Sequence, residues 1–361
     1  MQAWLVLEDG SVWGGEGRGA FREVACEVVF NTSMTGYLEV LTDPSYAGQG
    51  VVMTYPMIGN YGVELEDFES VRLQPSAFIV RELCSHPSNF RCTGTLEDLL
   101  LEQNIPCLSG VDTRALVKKL RESGTMRGLL TENIDDLDAK IALAKQFALV
   151  DVVESVTVPE KIERGVTNTG ARIALLDCGT KNNIARSLLT RGCRVTQYPS
   201  TATAAEILAA GHDAVMLSNG PGDPQDCKSA IAAVREIYHS GIPTFAICLG
   251  HQLTALAVGG STCRMKYGHR GANHPVKFLA EDRTYLSSQN HGYMVQAEGL
   301  PANAQVHCVN VNDGTVEGVC YHGKPYFTVQ FHPEASPGPK DTAFLFDVFL
   351  EMAKTGKNPW D

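Results

Sequence analysis

The sequence predicts an α/β protein, with a mostly parallel sheet in its C-terminal part and a mixed, β-rich N-terminal domain that also carries helices. Three observations predict it. From Ala171 onward, short apolar runs rich in β-branched residues alternate with stretches of helical period, the rhythm of parallel strands joined by crossover helices. Residues 1–70 read instead as strands broken by turns. Between the two, residues 151–170 are polar, contain Pro159 and end in Thr167-Asn168-Thr169-Gly170, a composition that marks a linker. The expected division is therefore 1–150, a linker at 151–170, and 171–361; 361 residues suffice for two sizeable cores.

The elements follow in order. Ala3 to Leu7 is an apolar run, Glu8-Asp9-Gly10-Ser11 turns the chain, and Val12-Trp13 resumes a strand. Gly15-Glu16-Gly17-Arg18-Gly19 has the wrong spacing for a dinucleotide loop, and Phe21 to Phe30 reads as strand rather than helix. The glycine stretch is expected to be a flexible turn. Asn31–Tyr37, Leu41–Tyr46 and Thr54–Gly62 are dense in hydroxyls, Gly and Pro, as loops carrying hydrogen-bonding groups are. Thr95, with Asp98 three residues on, caps a helix over Leu96–Gln103; Asp112 caps Thr113–Glu122, which Gly124 closes. Residues 132–148 form a third amphipathic helix.

Beyond the linker, strands are expected at Arg172–Asp177, Arg194–Tyr198, Ala214–Ser218 and Thr244–Ile247. Helices are expected at Asn182–Thr190, Ala204–Ala210 and Lys228–Ser240, with a fourth opening after Cys248. Residues 262–331 read as further strands and loops. Lys340–Thr355 reads as a closing helix with Phe344, Leu345, Val348 and Phe349 on its apolar face.

Composition narrows the function classes. The chain is 44% hydrophobic, 20% charged and 7% aromatic, and its net charge of −11 argues against nucleic acid or an anionic membrane as main partner. The N-terminus has no basic region and meets acids too early for a signal peptide; no apolar run approaches the ~20 residues that cross a bilayer. Eleven cysteines are scattered without a C-x-x-C pair, so zinc and thioredoxin-like readings lack their spacing and no metal site is expected. Cys178, Cys193 and Cys308 lie within or beside core-like runs, which fits reduced thiols in a cytoplasmic protein.

The chemistry gathers at Pro243–Leu256. An apolar strand runs into Cys248, and after Gly250 the residues Leu253, Leu256 and Ala257 recur at helical spacing until Gly259-Gly260. Cys248 thus sits on a sharp strand-to-helix turn, the cysteine counterpart of a nucleophile elbow, with small neighbours Ala246 and Gly250. There the sulfur projects outward, the helix start favours a thiolate, and the Leu249 N–H is open to an oxyanion. A cysteine nucleophile needs a base. His251 shares the nucleophile's helix and is expected to point elsewhere, whereas His332 follows the apolar strand Tyr326–Phe331. Glu334, two residues on, can hold the imidazole's other N–H. The loop Ser218-Asn219-Gly220-Pro221-Gly222-Asp223-Pro224 ends another strand, so it opens on the same sheet edge as Cys248.

These three motifs together resemble the class I, triad-type glutamine amidotransferases. The blocks around Asn31–Tyr37, Leu41–Tyr46 and Tyr55–Gly62, with Ser288–Tyr293 and His332–Pro339, are similar to the small, glutamine-hydrolysing subunit family of carbamoyl phosphate synthetase. The similarity runs from about Trp4 to the closing helix. The resemblance implies a doubly wound amidotransferase domain behind a docking domain. It also implies Cys248 as nucleophile, His332 as base and then acid, and Glu334 as its orienting group. Gly220 and Leu249 amides would form the oxyanion hole, and Ser45, Gly220, Gly222, Leu249, Gln252, Asn290, Gly292 and Tyr293 would hold glutamine. Tyr293 stands where related members carry phenylalanine.

The resemblance further implies a partner, the large synthetase subunit, which makes carbamoyl phosphate for arginine or pyrimidine synthesis. This chain shows no Gly-x4-Gly-Lys-[Ser/Thr] loop, and Cys178-Gly179-Thr180-Lys181 lacks the upstream glycine, so ATP and Mg are expected on the partner and no cofactor here. Two other readings compete: a stand-alone γ-glutamyl cysteine hydrolase, and a non-enzymatic regulatory subunit, which would require a broken triad.

Overall fold

A computed structural model describes residues 1–361. Two compact units divide it, Met1–Val150 and Asp151–Asp361.

The first unit is built on a closed barrel. Its strands are β1 (Gln2–Leu7), β2 (Val12–Gly19), β3 (Val24–Asn31), β4 (Gln49–Met53), β6 (Ala77–Ile79), β8 (Pro106–Ser109) and β9 (Met126–Thr131), in the order β1-β2-β8-β6-β4-β3-β9. A two-stranded ribbon, β5 (Met57–Ile58) with β7 (Glu82–Leu83), lies outside it. Helices α1 (Tyr37–Thr42), α2 (Leu96–Glu102), α3 (Thr113–Ser123) and α4 (Leu137–Gln146) complete the unit. Thr95, Asp112 and Asp136 accept hydrogen bonds from the third residue beyond them, which starts the last three helices. Buried Tyr37, Tyr46 and Phe78 pack among the aliphatic core. The glycine stretch 15–19 is not a flexible turn but the body of β2. A side chain at Gly15 would meet the Ser109 carbonyl at 2.5 Å, and one at Gly17 the Phe21 ring at 2.8 Å, so close packing is what glycine provides there.

The second unit is a ten-stranded sheet in the order β10-β12-β11-β13-β14-β19-β18-β17-β15-β16. Its parallel half comprises β11 (Arg172–Asp177), β12 (Arg194–Pro199), β13 (Ala214–Leu217), β14 (Thr244–Ile247) and β19 (Tyr326–Val329). The antiparallel half adds β15 (Thr262–Phe278), β16 (Arg283–Val295), β17 (Ala304–Asn310) and β18 (Val316–Tyr321). Helices cover both faces: α7 (Ala204–Ala209), α8 (Lys228–Ser240) and α9 (Leu249–Ala257) share one core, while α6 (Asn182–Leu189) and α10 (Leu345–Thr355) share the other. Along β11 the side chains alternate between these cores, Ala174 and Leu176 against Ile173 and Leu175.

Two expectations are corrected. Residues 151–170 are no bare linker: they carry α5 (Val152–Val156) and the edge strand β10 (Ile162–Arg164), antiparallel to β12. An edge strand exposes one side to water, so its charged residues read as linker composition. The closing helix begins at Leu345 rather than Lys340, because turns occupy the residues before it.

Candidate active site

Strand order builds the site. β13, β14 and β19 lie side by side, and the chain leaves their carboxyl ends through the Ser218–Pro224 loop, Cys248 and His332 respectively. Ile247 is in register with Val329, the Cys248 N–H donates to the Val329 carbonyl at 2.8 Å, and Phe245 stacks on Phe327 with centroids 4.3 Å apart. The nucleophile and base candidates therefore hang from neighbouring strand tips. β19 ends two residues earlier than the apolar run, and the chain then bridges to β16 through Ser288, whose carbonyl accepts from the His332 N–H at 2.9 Å.

Cys248 is buried and has φ +54° and ψ −103°, a conformation L-residues rarely adopt. The next residue, Leu249, opens α9. Gly250 makes the turn possible: a Cβ there would lie 2.7 Å from Leu217 Cβ and 2.8 Å from its carbonyl oxygen. The Gly250 N–H donates to the Ser218 carbonyl at 3.0 Å, tying the elbow to the β13 loop. In that loop a Cβ at Gly220 would sit 2.1 Å from the Cys178 carbonyl oxygen, so only glycine brings this backbone in. The Gly220 and Leu249 N–H groups have no backbone acceptor, the latter being a leftover donor of the first helical turn.

His332 and Glu334 are buried, with Nδ1 to Oε1 at 2.7 Å. Burial alone would lower the imidazole's pKa, but the Glu334 carboxylate and the adjoining Cys248 sulfur overcome this and push it up to about 10. The buried Nε2 makes no well-formed hydrogen bond, so its contact with the sulfur is loose in this resting geometry. Burial likewise works to raise the Glu334 carboxyl, and Lys181 with His332 brings it below its ordinary value instead.

Lys181 is the group that sequence reasoning passed over. It is buried on the turn after β11, its Nζ lies 3.2 Å from Glu334 Oε1, and it also donates to the Ala335 carbonyl. Its backbone N–H donates to Asn219 Oδ1 at 3.0 Å, and Asn183 donates to the Glu334 carbonyl. The available signal was position: Thr180-Lys181 follows a parallel strand, at the same sheet edge as the other loops. His251 does point elsewhere, its Nδ1 2.7 Å from Thr328 Oγ1; burial and nearby His307 lower its pKa to about 3, so it is a neutral core residue.

Of the expected glutamine-binding residues, Asn290, Gly292 and Tyr293 all lie on β16. The Asn290 carbonyl is 3.7 Å from Cys248 Sγ. Gln252 on α9 donates from Nε2 to the Tyr293 carbonyl at 2.9 Å and to Gln330 Oε1 at 3.0 Å, which joins helix to strand. Gly222 takes φ +88° in the β13 loop. Ser45 belongs to the first unit, on the Pro44–Tyr46 turn, where its N–H donates to Asp43 Oδ1 at 2.9 Å.

Known proteins are similar to this chain. The class-I glutamine amidotransferase family matches residues 174–352, and the CPSase domain of the carbamoyl-phosphate synthase small chain matches residues 5–130. The carbamoyl phosphate synthase small chain of Clostridium perfringens (strain 13 / Type A) is 49% identical, covering 98% of this chain and 100% of that one. The chain belongs to the carbamoyl phosphate synthase small-chain family. The small chains of Bacillus caldolyticus, 49% identical over 98% of this chain and 97% of theirs, and of Staphylococcus haemolyticus (strain JCSC1435), 48% over 98% and 96%, extend the likeness. Among solved structures, a glutamine amidotransferase from Thermotoga maritima is similar at 18% identity and a TM-score of 0.38, over 53% of this chain and 88% of that one. As a small chain, the protein has a mixed α/β fold with the amidotransferase domain at its C-terminal end.

Proposed function

We propose that this chain is the glutamine-hydrolysing subunit of carbamoyl phosphate synthetase and that Cys248, His332 and Glu334 do its chemistry. One observation carries the reading: a cysteine in a strained strand-to-helix turn, beside an imidazole whose far nitrogen is held by a buried carboxylate. His332 Nε2, which favours its protonated form, takes the thiol proton ahead of attack, and the Cys248 thiolate then adds to the side-chain amide carbon of glutamine. Glu334 makes the ring basic enough for that transfer. The oxyanion settles on the Leu249 and Gly220 N–H groups. His332 returns its proton to the leaving nitrogen, ammonia departs, and a γ-glutamyl thioester remains. Water, giving a proton to the same ring, then cleaves the thioester to glutamate and restores the thiol.

Ammonia is useful as a nucleophile only while unprotonated and undiluted. The ammonia therefore passes to a large, ATP- and Mg-using subunit that makes carbamoyl phosphate from bicarbonate, with no cofactor on this chain. The name carried by the relatives supports this over a stand-alone hydrolase, and the three intact site residues support it over a non-enzymatic regulator. In the assembled synthetase, Cys248→Ser is expected to abolish glutamine-dependent synthesis while added ammonium still supports it. Loss of both activities would make Cys248 structural and sink the assignment.

A further inference from the structure

On the antiparallel half of the second sheet three buried groups converge: His269 on β15, His291 on β16 and Glu317 on β18, with ligating atoms all within 4.8 Å of one another. His269 and His291 are direct cross-strand partners. Each ring is held from its far side. His269 Nε2 lies 2.8 Å from the Asp313 carboxylate, and His291 Nδ1 lies 2.8 Å from the Tyr293 carbonyl. Both acceptors demand a proton on the nitrogen they face, which turns the lone pairs of His269 Nδ1 and His291 Nε2 toward one place. Gln289 stands there, its Oε1 3.0 Å from the first nitrogen and 2.8 Å from the second, while its Nε2 donates to Glu317 Oε1 at 2.9 Å.

The hydrogen bonds do not balance. If both rings are neutral, both nitrogen lone pairs face the Gln289 amide oxygen, and Asn310 Nδ2 reaches His269 Nδ1 only at 3.5 Å. Turning the Gln289 amide over gives the rings a donor but sets its oxygen against Glu317 Oε1. Asn310 already donates to Oε1 at 2.9 Å, while Oε2 is buried with no partner at all. With both rings neutral and Glu317 ionised, either orientation of the Gln289 amide leaves acceptors face to face in a buried place. A cation among them would turn each lone pair into a ligand.

We propose that His269 Nδ1, His291 Nε2 and Glu317 bind a divalent transition-metal ion of the zinc class, with Gln289 turning aside to admit it. Two imidazoles and a carboxylate are a donor set such an ion accepts, and the outer bonds to Asp313 and to the Tyr293 carbonyl are the kind that orient ligating histidines. No sequence spacing announces the site, because its ligands come from three strands of the sheet. The ion would pin β15, β16 and β18 together, and β16 carries Asn290, Gly292 and Tyr293. A consequence for glutamine affinity rests on the proposed function; the binding itself does not.

The test uses the full chain without an affinity tag, stripped with a chelator, dialysed and titrated with Co²⁺, whose visible absorption reports its ligands. One equivalent should bind with visible bands that Zn²⁺ then abolishes. Asp313→Asn, at a half-exposed position, should weaken binding by about 10–100-fold through the outer contact. Glu317→Gln should abolish the bands, with circular dichroism showing both variants folded. No cobalt uptake by the wild-type chain would overturn the site and leave a proton shared by Glu317 and Gln289 to resolve the conflict. Wild-type affinity in both variants would overturn it too. Loading should also lower the glutamine KM with less change in kcat; bound metal with KM unmoved would overturn the role in holding β16.

Discussion

Cys248 is held at φ +54° and ψ −103°, and such a conformation costs a non-glycine residue about 1–3 kcal/mol. The surroundings that enforce it, Gly250 against Leu217 and Gly220 against Cys178, also bring the Gly220 and Leu249 backbones close to the elbow. Charge at this site makes stability depend on pH through two groups. His332 is raised above its ordinary value by Glu334 and Cys248 against burial, so its contribution is full below about pH 6.5 and fades as pH climbs toward about 10. Glu334 is lowered, so its contribution is full above about pH 4.5 and fades as acid protonates it below that. The melting temperature should therefore be highest between these limits, and His332→Asn should flatten the alkaline limb in a fluorimetric melt across pH. An unchanged alkaline limb in that variant would remove His332 from the account. The placement of Cys248, His332 and Glu334 at one sheet edge could be read from the sequence because each follows an apolar strand. Lys181 also follows a strand at that edge, but its pairing with Glu334 is not legible, because the partner lies far along the chain.

Among elements, α9 packs closely on β13 at Gly250. Gly250→Ala should push α9 away from β13, because its Cβ has no room beside Leu217. The expected loss is about 1–3 kcal/mol in urea unfolding, with kcat falling as the elbow shifts; an unchanged midpoint would contradict the close packing described. Strands β11 and β14 and helix α8 match the sequence reading residue for residue. Strands covered on both faces leave an uninterrupted apolar run, which is hard to mistake. The long pair β15 and β16 gave no such signal. Gly268, Gly271 and Pro275 interrupt it, and its register shifts between Arg264 and His269 and again between Gly271 and His274, so the alternation of a regular strand is lost. Strand β2 differs from its expectation for a related reason: Gly15 answers to Ser109, which only pairing with β8 brings near, and Gly17 to the Phe21 ring folded back just after the strand.

At the scale of the whole molecule, the net negative charge argues against a nucleic acid or anionic membrane as main partner without naming one, and the two units could be told apart because strand-rich and alternating patterns change along the chain. Barrel closure could not be foreseen, since it depends on β9 returning to pair with β1 across most of the first unit. The order of the second sheet has a further consequence. Strands β14 and β19 touch, yet β15 to β18 come between them along the chain. The turn joining β15 to β16, residues 279–282, is exposed. A protease that cuts there severs the covalent path from thiol to imidazole but leaves the β14–β19 ladder intact. The nicked protein should run as two bands under denaturing conditions and as one species in native solution. It should still hydrolyse glutamine, so the two halves of this catalyst could be made as separate polypeptides and allowed to find each other.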